Sequence, residues 1–278
     1  MDKTQGIKTK DFLVTGEEFH IVWNPQFQCF QTTPVPEQLE AYYESPEYIS
    51  HTDRGNTLRE RLYQRAKRYT LRRKLRILRR HRSAPGALLD VGAGTGDFVR
   101  YAQANDWEAY GVEPNDEARE LAHQKGVSVY KRLTTEGGPQ YDIITLWHVF
   151  EHLSDLETRI DEFKSVLRPG GWLVLALPNF KSLDARLYGH YWAAYDVPRH
   201  LWHFSKRSIQ HLFEDRGFTL KAVKPMWLDA FYVSWLSENY RNRKGAPVFA
   251  FFNGMLSNTA GIFSREFSSH IYILEKAD

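Results

Sequence analysis

The chain holds a single cysteine, Cys29, in 278 residues. One thiol excludes an intrachain disulfide framework and any multi-cysteine zinc site. Long apolar runs are also missing. No stretch approaches the roughly 18 residues of a membrane span, and no apolar segment of the secretory kind stands near the start. A cytoplasmic protein with no membrane span is therefore expected. Internal repeats and low-complexity tracts are lacking, and net charge is only +3. What is present is an ordinary globular composition, 42% hydrophobic and 26% charged. Aromatic residues reach 14%, which points to apolar or ring-binding surfaces beyond the core.

The small net charge hides an uneven distribution. Between Arg59 and Arg82 stand twelve Lys or Arg and one acidic residue, Glu60, so this segment carries +11 and the rest of the chain −8. Leu58, Leu62, Tyr69, Leu75 and Leu78 fall near helical spacing within it, which predicts an amphipathic basic helix over 58–82. Two readings stand. The basic face is either solvated surface on a packed helix, or a site for nucleic acid, anionic lipid or an acidic partner.

Residues 1–57 read as an N-terminal lobe, with alternation over 12–23 that suggests a strand or hairpin, a break at Pro34 and Pro36, and a short helix over 37–43. After Pro85-Gly86 the pattern alternates β and α, which argues for an α/β fold on a parallel sheet. Strands are expected at 87–91, 108–112, 127–130, 141–147 and 172–177, helices at 97–105, 115–124 and 156–166, and a turn at 168–171. Ser205 can cap a helix over 206–215. A strand near 220–225, an aromatic-rich helical stretch over 226–268 and a last strand at 270–275 complete the reading.

Residues 88–99 read Leu-Leu-Asp-Val-Gly-Ala-Gly-Thr-Gly-Asp-Phe-Val. An apolar strand ends at Asp90, and Gly92, Gly94 and Gly96 follow at alternate positions. Glycines cluster where a ligand approaches the backbone too closely for a Cβ, and a strand-to-helix loop aims backbone N–H groups at whatever binds. The spacing is Gly-x-Gly-x-Gly, not the Gly-x-Gly-x-x-Gly of dinucleotide folds. Glu113, at the end of the second strand, can accept both hydroxyls of a ribose.

With these motifs in register the chain resembles the class I methyltransferases that use S-adenosyl-L-methionine. Residues 88–99 match the family's first motif, Gly111-Val112-Glu113-Pro114 the ribose-binding strand end, Tyr141-Asp142-Ile143-Ile144 the fourth strand, and 167–175 the turn and fifth strand. The resemblance implies a Rossmann-like, seven-stranded, mostly parallel sheet with helices on both faces. Around it stand an N-terminal lobe (1–57), the basic helix (58–82), a cofactor-binding catalytic core (83–225), and an aromatic-rich cap with the final strand (226–278). It further implies that Asp90, Gly92 and Gly94 line the methionine side of the cofactor, and that Ala93, Thr95, Gly96 and Phe98 belong to the same binding site. Glu113 and Pro114 would meet the ribose, the loop near Leu133 would face adenine, with Glu136 the first acidic residue there, and Trp147 and His148 would close the sulfonium end. The Tyr48–His51 segment is expected to fold over the cofactor.

His148-Val149-Phe150-Glu151-His152 has the His-x-x-Glu-His form of an inverted zinc protease, but it follows a strand of a sheet that already carries a cofactor loop. The subgroup similar to ubiquinone-biosynthesis O-methyltransferases has a Glu-His pair here, and some members hold a divalent ion. His148 replaces an acidic residue of that subgroup, and Mg²⁺ prefers oxygen ligands, so no metal is expected, neither there nor at 23–30, where only Cys29 remains of a cysteine-pair pattern. Glu151 and His152 either contact substrate or orient the loop. A histidine has the pKa to relieve an acceptor of its proton, and His148 and His200 are the candidates. His200 stands in the ring-rich run Tyr191–Phe204, which also holds Asp196, Arg199 and His203. The expected activity is methylation of a small molecule at a hydroxyl oxygen of an aromatic or lipid-like acceptor. Two alternatives stay open: an RNA or protein methyltransferase using the basic helix, and a non-catalytic module that keeps only the cofactor fold.

Overall fold

The computed structural model describes residues 6–43, 58–135 and 137–277. The Tyr48–His51 segment, Glu136 and the side chains of Leu58 and Leu62 lie outside the described residues.

Two sheets organise the chain. The smaller is antiparallel and begins with β1 (Ile7–Lys10), β2 (Glu18–Asn24) and β3 (Cys29–Thr33). The strand or hairpin expected over 12–23 is the turn and second arm of the β1–β2 hairpin. The Asp11 carboxylate accepts from the N–H groups of Leu13, Val14 and Thr15, which winds 12–16 into a turn before β2. The expected helix over 37–43 is a 3₁₀ segment, Leu39–Tyr43.

A 22-residue helix follows, α1 (Leu58–Arg79). Leu75, Ile77 and Leu78 are buried, but Tyr69, expected on the apolar face, is 53% exposed. It shares the outer face with Arg65, Arg72 and Arg76 at helical spacing, all exposed.

The larger sheet has seven strands: β4 (Ala87–Val91), β5 (Glu108–Val112), β6 (Val129–Tyr130), β7 (Tyr141–Trp147), β8 (Leu167–Pro178), β10 (Phe218–Pro225) and β11 (Ser269–Lys276), in the order β10-β11-β8-β7-β4-β5-β6. β4 pairs in parallel with both β5 and β7, and β5 with β6. The chain runs outward from β4 through β5 to β6, then returns to β7 on β4's other side. That reversal makes a switch point at the carboxyl ends of β4 and β7, where open α/β sheets bind ligands. The five residues of β4 are all buried, the pattern of a strand covered on both faces. Residues 168–171, expected as a turn, belong to β8. β6 is shorter than expected because the Val127 N–H closes the preceding helix on the Ala122 carbonyl.

The connecting helices are α2 (Asp97–Gln103), α3 (Asp116–Gln124), α4 (Leu156–Val166), α5 (Leu183–Tyr188), α6 (Lys206–Glu214), α7 (Asp229–Tyr240) and α8 (Ala246–Ser264). Asn115 caps α3 by accepting from the Ala118 N–H, and Ser205 with Ser208 forms a capping box on α6. A two-residue strand, β9 (Trp202–His203), pairs with β3. The N-terminal segment, expected as a lobe of its own, thus shares its sheet with chain from beyond β8.

By packing, the chain forms two compact units. The first takes in Met1–Tyr48, His148–Leu156 and Leu175–Ile273, the second Ile49–Trp147, Glu157–Val174 and Leu274–Asp278. The first has an aromatic core in which Phe19, Phe30, Tyr188, Trp192 and Tyr195 are buried; Trp202 is buried as well. The second buries Leu88, Leu89, Val99, Ile143, Ile144 and Leu146 around its parallel strands.

Candidate active site

In the second unit the loop after β4 is shaped by its glycines. Gly92, Gly94 and Gly96 have φ of 72°, 53° and 74°, a left-handed conformation that side-chain-bearing residues rarely adopt. Alternate left-handed residues explain the alternate glycines. The N–H groups of Gly92 and Ala93 donate to the Val112 carbonyl at 2.7 and 3.0 Å, which ties the loop to the end of β5. The Gly94 N–H donates to Glu113 Oε2 at 2.9 Å, and the Asn115 N–H to Glu113 Oε1 at 3.0 Å. Two backbone amides therefore fix the carboxylate beside the loop. A Cβ on Gly94 would meet nothing within 4 Å, so this side of the loop is open.

Asp90 is buried, and its Oδ1 accepts from Thr145 Oγ1 at 2.6 Å across the β4–β7 pairing. Burial raises its carboxyl against the Lys74 charge and the Thr145 hydrogen bond, to about 6. Phe98 and Trp147 pack edge to face, 5.8 Å between ring centres. Lys74 Nζ lies 4.5 Å from the Trp147 ring centre. Trp147 Nε1 is buried with no hydrogen-bond partner among the described residues, an arrangement that costs about 1–3 kcal/mol unless a ligand accepts from it. Lys67 and Lys125 both pair with Asp97. Asp90, Gly92, Ala93, Gly94, Thr95, Gly96, Phe98, Glu113, Pro114 and Trp147 thus come from three adjoining strand ends. A fixed carboxylate suits a ribose diol. The open glycine side, the two rings and the orphaned indole donor suit the rest of a sulfonium nucleoside. Leu133 lies in the loop after β6.

The chain passes directly from Trp147 into the histidine cluster of the first unit. His148 has φ 57°, a left-handed conformation unusual for a non-glycine residue and often found at functional positions. Its Nε2 lies 3.1 Å from Asp229 Oδ2 and its Nδ1 3.3 Å from Glu151 Oε1. Desolvation pulls its pKa down, but the hydrogen bonds and charges of Asp229 and Glu151 outweigh it and push the ring up to about 10. His148 is an imidazolium at neutral pH. Glu151 is desolvated too, yet the His148 hydrogen bond and the nearby histidines hold its carboxyl below the usual range. Its second oxygen, Oε2, is buried with no partner among the described residues.

His200 behaves in the opposite way. Desolvation and the neighbouring His152 drive its pKa well below the usual value, so it is neutral. Its Nδ1 lies 2.9 Å from the Ala194 carbonyl. A carbonyl only accepts, so Nδ1 carries the proton and Nε2 is left as the basic atom, 4.0 Å from Glu151 Oε1 and 4.0 Å from Asp196 Oδ2. His152 has the same tautomer, with Nδ1 2.9 Å from the Arg199 carbonyl, and Tyr43 Oη stands 3.0 Å from that nitrogen. Glu151, His152 and His200 each offer a ligand atom within 4.8 Å of the others. Two imidazoles and a carboxylate suit Zn or Fe rather than Mg. No metal was expected on sequence grounds, yet this set has the compactness of one that can hold a cation. Arg199, fully buried, bridges Asp11 and Asp196 at 2.9 and 2.6 Å and so fixes the loop that bears His200. His203 is neutral through burial, with Nε2 2.9 Å from Thr32 Oγ1.

Sequence reasoning missed Asp229, Tyr43, Thr145 and Lys74. Asp229 stood in a stretch read as aromatic cap, 81 positions from His148. Lys74 was one of twelve basic residues with nothing to single it out. Thr145 alone left a signal, a polar residue inside an apolar strand opposite Asp90.

Comparison with known proteins places the chain by family and by fold. A family described as "Methyltransferase domain" matches residues 61–223. An uncharacterised methyltransferase of Anoxybacillus flavithermus is 28% identical over 152 residues, 48% of this chain and 69% of that one. A ubiquinone biosynthesis O-methyltransferase of a Bradyrhizobium species is 30% identical over 129 residues, 43% of this chain and 51% of that one. The chain thus spans about half the length of the latter. Among solved structures, magnesium protoporphyrin IX methyltransferase from Synechocystis with bound S-adenosylhomocysteine aligns with a TM-score of 0.54 at 15% identity. That alignment covers 85% of this chain and 97% of the other, and it speaks to the fold alone.

Proposed function

The chain belongs to the methyltransferase-domain family, whose members use S-adenosylmethionine, and from that premise we propose that it methylates a small molecule at a hydroxyl oxygen of an aromatic or lipid-like acceptor. The observation that carries this reading is the pair of histidines in opposite charge states, His148 protonated and His200 neutral, both facing Glu151 Oε1. A hydroxyl must shed a proton as its oxygen is alkylated, and His200 Nε2 is the unprotonated atom placed to take it, with the Glu151 carboxylate opposing the burial that lowers its basicity. An anionic oxygen gains from a fixed cation.

The chemistry supplied by S-adenosylmethionine when bound is a methyl group on cationic sulfur, open to in-line displacement. Glu113 would hold the ribose hydroxyls, and the glycine loop would accept the ligand's close approach. Phe98 and Trp147 would exclude water and face the cationic end. His200 Nε2 takes the hydroxyl proton, and Glu151 stabilises the imidazolium that results. His148, kept charged by Asp229 and Glu151, orients the oxygen. The rings around these groups suit a flat or apolar acceptor. The reading needs no metal and agrees with a cytoplasmic setting.

The test is calorimetric titration with S-adenosylmethionine, then transfer of labelled methyl to a panel of phenols and long-chain alcohols. Micromolar binding and transfer to oxygen are expected. No binding would sink the whole reading, and binding with transfer only to nitrogen, RNA or protein would sink the acceptor assignment.

A further inference from the structure

Helix α8 is built inside out. Its 19 residues include no Asp, Glu, Lys or Arg. Its inward positions are small or polar: Ala246, Ala250, Gly254, Ser257, Asn258 and Gly261 are buried. Gly254 lies so close to Phe231 that a Cβ there would be 2.6 Å from the ring, and Gly261 is as close to Phe267. The large apolar side chains point outward instead. Phe251, Phe252, Leu256 and Ile262 are 50–60% exposed, and Phe263 is 83% exposed. A helix on a water-facing surface has the reverse pattern, its large apolar residues turned to the core. Small residues at the helix contact and large apolar ones facing out is the arrangement of helices that meet lipid.

With Val248, Phe249 and Met255, also exposed, this face presents on the order of 800 Å² of apolar surface at roughly 150–250 Å² per large side chain. The largest patch on a typical monomer is about 300–600 Å². Two further features decide what covers it. Arg243 and Lys244 precede α8 and Arg265 follows it, all exposed, so cations stand at both ends of an uncharged face. Trp227, Tyr232 and Trp235, before and within the partner helix α7, are 38–58% exposed, and such amphipathic rings settle at membrane–water boundaries. No helix among the described residues is long and apolar enough to cross a membrane.

We propose that α8 lies in the plane of an anionic membrane surface, with its outer phenylalanines and aliphatic residues among the acyl chains and its flanking cations at the lipid headgroups. The exposed hydroxyls on this helix, Thr259 and Ser264, donate back to the Met255 and Ala260 carbonyls of the helix itself, so the face offers a partner no free donor, and its charge is complementary to acidic lipid. A second copy of this chain, with like cations at the same positions, would meet it less well. The inference stands apart from the acceptor proposed above, because it rests on α8 and α7 alone.

The experiment is flotation of the full chain with vesicles of phosphatidylcholine alone or mixed with phosphatidylglycerol. The wild type is expected to float with the mixed vesicles and only weakly with the neutral ones. Phe251→Ser with Phe252→Ser and Phe263→Ser should weaken binding roughly tenfold or more, while circular dichroism and S-adenosylmethionine affinity stay unchanged. Phe263→Ser alone, at the most exposed position, serves should the triple variant misfold, and a severalfold loss is expected. Lys244→Glu with Arg265→Glu should abolish the preference for phosphatidylglycerol. Failure of the wild type to float with either vesicle would overturn the proposal. So would undiminished flotation of the folded variants, or light scattering that shows a dimer which the phenylalanine substitutions split.

Discussion

Replacing Asp229 with asparagine tests the charge assignment at the centre of the site. In the wild type His148 lies between Asp229, 3.1 Å from Nε2, and Glu151, 3.3 Å from Nδ1. Its folded pKa is raised to about 10 from an ordinary 6.5. A group raised in this way contributes stability that is fully present below its unfolded pKa and is lost as pH rises through its folded one. The window therefore runs from about 6.5 to 10. Each pKa unit corresponds to about 1.4 kcal/mol, but the His148 side chain is 36% exposed. Solvent screening reduces the Asp229 share to about 1 kcal/mol. Asp229→Asn keeps the size and a hydrogen-bonding group but removes the charge. Urea unfolding near pH 7 should show a loss of about 1 kcal/mol that shrinks toward zero above pH 10. The His148 resonance, assigned through His148→Gln, should titrate at lower pH in the variant. Wild-type His148 titrating near 6.5, or a penalty equal at both pH values, would show that Asp229 does not hold the imidazolium.

Other expectations follow from the same geometry. Glu113→Ala removes the carboxylate that two backbone amides fix, and calorimetry should show roughly 10–100-fold weaker S-adenosylmethionine binding from the loss of charged hydrogen bonds. His200→Asn should lower the rate of methyl transfer by about 10²–10⁴ with cofactor affinity unchanged, and an unaltered rate would remove His200 from the chemistry. Asp90→Asn keeps the acceptor for Thr145 and removes a buried carboxylate whose pKa is raised to about 6. The wild type gains stability as pH falls through that value toward 3.8, so the variant should be the more stable by on the order of 2 kcal/mol near pH 8, with no advantage below pH 4 by urea melts. Arg199→Met strands two carboxylates and should destabilise the protein by about 3–5 kcal/mol in the same assay. Chelator treatment should leave turnover intact, and loss restored by zinc would assign Glu151, His152 and His200 to a metal.

Much of this protein was determined locally and so stood legible in the sequence. Three glycines at alternate positions read as a tight loop because left-handed backbone there admits little else. The apolar runs at 87–91 and 141–147 read as buried parallel strands because a covered strand has no polar face to alternate. The residues that match a methyltransferase domain, 61–223, contain these motifs. The charge states of the site were decided only by tertiary structure. His148 and His200 are the same residue type in similar ring-rich company, yet one is held charged by a carboxylate 81 positions away and the other is kept neutral by burial beside His152. The orientation of α8 was decided in the same way. In the sequence it is part of an aromatic-rich helical stretch with no face marked, and only packing against Phe231 and Phe267 turns the small residues inward and the large ones out. A sequence records which groups exist and their local backbone preferences. Electric field and burial are sums over neighbours that distant parts of the chain supply, and those sums exist only once it has folded.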